Sequence, residues 1–105
     1  MCLVTRKIVN LKASLVSDSN KHSGIIENLS KDCLYLRAVT NDPAYDFIPG
    51  EFFEIHFQSN SGEDISLPGK VKWSYKTPPH GITKSIGFEI LEKNPGYEKL
   101  FNELE

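Results

Sequence analysis

Apolar and polar residues alternate along most of this chain. Val9, Leu11, Ala13 and Leu15 are separated by Asn10, Lys12 and Ser14, a period of two that predicts a strand with one buried face. The same alternation returns in Leu34 and Leu36, in Phe53, Ile55 and Phe57, and in Ile86, Phe88 and Ile90. Val71, Trp73 and Tyr75 repeat it too, placing Trp73 on an inward position with lysines 70, 72 and 76 outward as a solubilising face. Turn-rich stretches separate these runs: Ser17–Lys21, Thr40–Gly50, Gln58–Asp64 and Thr77–Gly81. Pro68-Gly69 reads as a bulge or bend inside one long strand. Strands are expected over about 8–16, 22–29, 33–39, 51–58, 64–76 and 82–91.

The period changes at the end of the chain. Asn94 is suited to cap a helix and Pro95 to occupy its first position, and Tyr97, Leu100, Phe101 and Leu104 recur at three- and four-residue spacing. A short amphipathic helix over about 95–104 is expected, dependent on packing for its persistence. Short turns imply antiparallel neighbours. The predicted fold is therefore all-β in the main: a small six-stranded antiparallel barrel, closed so that no strand edge is left open, with one C-terminal helix.

A chain of 105 residues, 39% hydrophobic and 25% charged, suits one globular domain, taken as residues 1–105. No apolar run is long enough to span a membrane, and the first residues carry no secretory signal, so a cytoplasmic protein is expected. The sequon at Asn28-Leu29-Ser30 then has no meaning. Cys2 and Cys33 form no close pair, so a structural disulfide is not expected in a reducing compartment. Two cysteines and three scattered histidines do not make a metal site. Net charge of −2 argues against general nucleic-acid binding, while leaving room for a small anion in a local basic pocket. There is no nucleophile elbow, zinc-protease pair, phosphate loop or dinucleotide fingerprint, so no enzyme and no cofactor are expected.

Arginine is confined to Arg6 and Arg37. Its planar fork grips phosphate and the O6/N7 edge of guanine in a way lysine cannot copy. Arg6 precedes the first strand beside Lys7. Arg37 shares the outer face of the third strand with Tyr35, a pairing able to sandwich a base. Between the second and third strands lies a polar knot of Asn28, Ser30 and Asp32 in "IIENLSKDCLYL".

Taken in order, "TRKIVNLKASL", "GIIENLSKDCLYLRA", "GEFFEIHF", "LPGKVKWSY", "SIGFEI" and the terminal helix resemble the PilZ domain family over nearly the whole chain. The resemblance implies a bacterial six-stranded barrel that in many members binds cyclic di-GMP, through RxxxR ahead of the first strand and [DN]xSxxG between the second and third. Here Asn28 and Ser30 match, and Cys33 stands at the Gly position. Arg6 supplies one arginine of the pair, its counterpart falling at Cys2 or Asn10. With Met1 opening the chain, no upstream arginine is expected. Losing a bidentate guanine contact costs about 1–3 kcal/mol, and a cysteine forced into the left-handed region about 1–2 kcal/mol.

The resemblance therefore implies a receptor module for cyclic di-GMP with Arg6, Lys7, Asn28, Ser30 and Cys33 at its site, Cys33 departing from the pattern; Tyr35 and Arg37, from their shared outer face, complete the expected ligand-binding residues. A protein partner would read its state. The alternative is an adaptor of the same fold that binds protein and no nucleotide. A barrel for single-stranded nucleic acid ranks last.

Overall fold

A computed structural model describes residues 7–18, 20–39, 47–59, 61–76, 83–92 and 94–103. Cys2, Arg6, the stretches 40–46 and 77–82, and Leu104 lie outside the described residues. Six strands form in chain order: β1 (Lys7–Ser17), β2 (Asn20–Leu29), β3 (Cys33–Val39), β4 (Phe52–Gln58), β5 (Asp64–Lys76) and β6 (Thr83–Ile90); helix α1 (Pro95–Glu103) follows. All neighbours are antiparallel, and the order β1-β2-β3-β6-β5-β4 closes on itself. Closure pairs both edges of every strand, which removes the open edges an isolated sheet would present.

Alternation decides what fills the barrel. Leu11, Ala13 and Leu15 from β1, Leu34, Leu36 and Ala38 from β3, Phe53, Ile55 and Phe57 from β4, and Ile86 and Phe88 from β6 are all buried in one core. Gly69 makes room within it: a Cβ there would lie 2.7 Å from Ile55 Cδ1 and 3.1 Å from Phe88 Cδ1. Pro68-Gly69 therefore lies within a continuous strand at a point of close approach, and the expected bulge falls two residues later. The β5–β6 register shifts between Val71 and Trp73. An extra residue in a ladder turns everything beyond it to the opposite face. Val71 is buried, but Trp73 is 37% exposed and Tyr75 60% exposed, correcting the inward placement of both rings. The Ser74 hydroxyl, between them, instead hydrogen-bonds the Phe47 carbonyl.

Helix α1 closes the barrel end where β1 begins and β2 turns into β3. Asn94 caps it: Oδ1 accepts from Gly96 N at 2.8 Å and Tyr97 N at 3.2 Å, while Nδ2 donates to the Ser66 carbonyl at 3.1 Å. Tyr97 and Leu100 are buried against the core. Phe47 packs toward the other end, edge-on to His22 with ring centroids 5.0 Å apart.

Candidate functional site on the outer face of the barrel

The β2–β3 turn is built by its own polar groups. Ser30 N donates to the Cys33 carbonyl at 2.8 Å, and Cys33 N donates to Ser30 Oγ at 3.2 Å. Ser30 is fully buried, and its carbonyl accepts a hydrogen bond from the Tyr97 hydroxyl. Ser30 thus locks the turn and ties it to α1. Burial, reinforced by the negative charge of Asp32, pushes the Tyr97 phenol well above its ordinary range. Cys33 begins β3; among the described residues the only non-glycine with positive φ is Asp18. The strain expected of a cysteine at the motif's glycine position does not arise, because the turn closes without a left-handed residue there. Cys33 is disulfide-bonded, which corrects the expectation of an unbridged thiol; its partner lies outside the described residues.

Asn28 stands at a second irregularity. The β2–β3 register shifts between Ile26 and Asn28, leaving Glu27 as the extra residue. The Asn28 side-chain oxygen is buried and accepts no hydrogen bond. A buried, unpaired acceptor costs about 1–3 kcal/mol.

Register brings the remaining residues together in two lateral rows. Asn28 pairs with Tyr35, Tyr35 with Gly87, and Gly87 with Trp73. In the next row Ile25 pairs with Arg37, Arg37 with Ser85, and Ser85 with Tyr75. The small residues Gly87 and Ser85 form a floor between Tyr35 and Arg37 on β3 and Trp73 and Tyr75 on β5. The Trp73 indole leans across Gly87, so a Cβ at position 87 would fall 2.5 Å from its Nε1. Trp73 stacks on Tyr75 with centroids 5.4 Å apart and planes 18° from parallel, and meets Tyr35 at 5.6 Å. A groove of about 330 Å³ is lined by Asn28, Tyr35, Trp73, Tyr75 and Ser85, with Glu27 at its border. Glu27 also borders a second groove of about 350 Å³, which contains Arg37 and Ile25. The two side chains form an ion pair at 3.0 Å, both substantially exposed.

The structure thus gathers five of the expected residues, Asn28, Tyr35 and Arg37 on the face and Ser30 and Cys33 at the turn beneath. Lys7 is directed elsewhere. Its Nζ donates to the Phe101 carbonyl at 2.6 Å and sits 4.2 Å from that ring's centroid, near the negative end of α1. Trp73 and Tyr75 were missed as site residues because alternation put them inside. The usable signal was Gly87: glycine inside a strand marks a place where another group approaches closely.

Comparison with known proteins bears on the family and the fold. The PilZ domain family profile matches residues 5–104, and the chain belongs to that family. The family is one of non-catalytic cyclic di-GMP receptor domains. Among solved structures, the inhibitor of motility from Bacillus subtilis (MotI/DgrA) superposes with a TM-score of 0.73 at 14% identity, over 92% of this chain and 46% of that one. The likeness is one of fold, and this chain spans about half of that protein. No curated protein matches the chain. No helix among the described residues is long and apolar enough to cross a membrane.

Proposed function

We propose that this domain is a cyclic di-GMP receptor whose ligand lies on the outer face of β2, β3, β6 and β5. The observation that carries the reading is the buried, unpaired Asn28 oxygen in the wall of a groove flanked by three aromatic rings. Guanine has the N–H donors such an acceptor needs and a flat face to stack; stacking on an aromatic side chain contributes about 1–3 kcal/mol per base. Ser30 and Cys33 act beneath the ligand, holding the turn that presents Asn28. Arg6 supplies a phosphate contact from the segment entering β1, whose Ile8 pairs with Asn28. Lys7 adds charge from its place against α1. Binding changes the surface offered to a protein partner. On this reading the domain works in the cytoplasm, where a reducing environment would open the bridge at Cys33.

Calorimetric titration with cyclic di-GMP at low and physiological salt tests the reading. Saturable binding with Kd on the order of micromolar is expected. Asn28→Ala should weaken it at least about fivefold, the lower bound for one lost buried hydrogen bond. Absence of heat at both salt concentrations would overturn the reading. A second reading, a protein-binding adaptor that takes no nucleotide, is favoured by the engagement of Arg37 with Glu27 and by Ile8, 89% exposed, beside Asn28. It requires thermal stability to be unchanged by nucleotide, since only a bound ligand shifts the folding equilibrium.

A further inference from the structure

Glu27 lines the aromatic groove and also the groove beside it, where Arg37 lies, and the Glu27 carboxylate is 3.0 Å from the Arg37 guanidinium. We infer that Arg37 is the residue that selects guanine over adenine at this site, and that Glu27 is a competing carboxylate which keeps Arg37 engaged until ligand enters. The inference rests on the receptor reading and adds to it a specificity determinant with a built-in competitor.

Three features support it. Arg37 is two residues from Tyr35 on one strand and faces Tyr75 across Ser85, two strand spacings or about 10 Å. A base stacked on the Tyr35–Trp73–Tyr75 row therefore presents its edge within reach of a guanidinium. That edge in guanine carries two acceptors, O6 and N7, which match the Arg fork; adenine replaces O6 with a donor and leaves half the fork unmet. Glu27 is the extra residue of the β2 irregularity and borders both grooves, so its carboxylate can release Arg37 without disturbing the ladder. The pair is exposed, and exposed pairs contribute about 0–1 kcal/mol, weak enough for a bidentate ligand contact to replace.

The test is a double-mutant cycle read by calorimetry, using cyclic di-GMP and cyclic di-AMP as probes. Both positions are exposed on the outer face, so Glu27→Gln and Arg37→Ala leave the core intact. Glu27→Gln should tighten cyclic di-GMP binding by up to about fivefold, the pair's ~1 kcal/mol converted to affinity. Arg37→Ala should weaken it by about fivefold or more and erase the preference for guanine over adenine. Arg37→Lys should behave like Arg37→Ala toward that preference, because it keeps the charge and loses the fork. In the double variant the gain from Glu27→Gln should vanish. Equal gains in both backgrounds would overturn the competitor role, leaving Glu27 as a general negative charge. Binding by the parent protein with unchanged guanine preference in Arg37→Ala would overturn the selector role and leave the receptor reading standing. Silence from both the parent protein and Glu27→Gln would overturn the receptor reading and this inference together.

Discussion

A Cβ at position 87 would lie 2.5 Å from Trp73 Nε1 and 2.8 Å from its Cζ2, so the residue opposite the indole must be glycine for the ring to lie flat. Gly87→Ala should lift the indole off the sheet and break its stack with Tyr75. Trp73 is the one tryptophan in the chain, so its emission maximum reports the change directly: a red shift is expected, with about 1–3 kcal/mol of lost stability if the ring cannot fully clear the methyl. An unshifted spectrum would mean that the ring does not rest on Gly87. Tyr97 supplies a second residue-scale prediction. Its folded pKa is raised above the ordinary 10.0 by burial and by Asp32. A raised acid pKa means the native state disfavours the phenolate. The stabilisation from this neutral phenol is therefore complete below pH 10 and is lost as pH climbs from there toward the folded pKa. Tyr97→Phe should be less stable by about 1–3 kcal/mol at neutral pH, because the buried Ser30 carbonyl loses its donor. The variant should also show a flatter decline above pH 10 in denaturant titrations; a parallel decline would remove Tyr97 as its source.

At the scale of elements, the divide between what was legible and what was not follows the bulges. The barrel, its strand count and the capped terminal helix were readable because each leaves a composition signal. Leu11, Ala13 and Leu15 alternate, Phe53, Ile55 and Phe57 alternate, and Asn94-Pro95 marks a helix start. Asn28 carried a signal of its own, as part of a motif. The platform was not: a bulge adds one residue and no characteristic side chain, so Val71, Trp73 and Tyr75 look equivalent in sequence while the structure divides them between faces. The same blindness hid Glu27, an unremarkable strand glutamate until the irregularity beside Asn28 sets it against Arg37. The cap itself gives the prediction at this scale. Asn94→Ala removes two acceptor contacts to α1 and a donor to Ser66 in β5. A cost of about 1–2 kcal/mol is expected, read as a lower urea midpoint. An unchanged midpoint would show that Tyr97 and Leu100 alone hold the helix in place.

For the molecule as a whole, filling and charge decide which ligands are admissible. Phe53, Phe57 and Phe88 occupy the barrel interior together with the aliphatic residues around them, so a ligand has only the outer surface. Among the described residues that surface offers three adjoining rings, two of them stacked, and one forked cation, Arg37, which already has a carboxylate partner. A cyclic dinucleotide brings two bases and two phosphates to such a patch. A single strand of nucleic acid instead needs a cationic groove that tracks many phosphates in succession, and a chain of net charge −2 repels each added phosphate. Fluorescence anisotropy with a labelled oligothymidine should therefore show binding weaker than about 100 micromolar at physiological salt, the weak end of nonspecific association. Low-micromolar binding displaced by cyclic di-GMP would reverse this ordering, because it would mean that the aromatic row recognises bases without needing the compact geometry of the cyclic ligand.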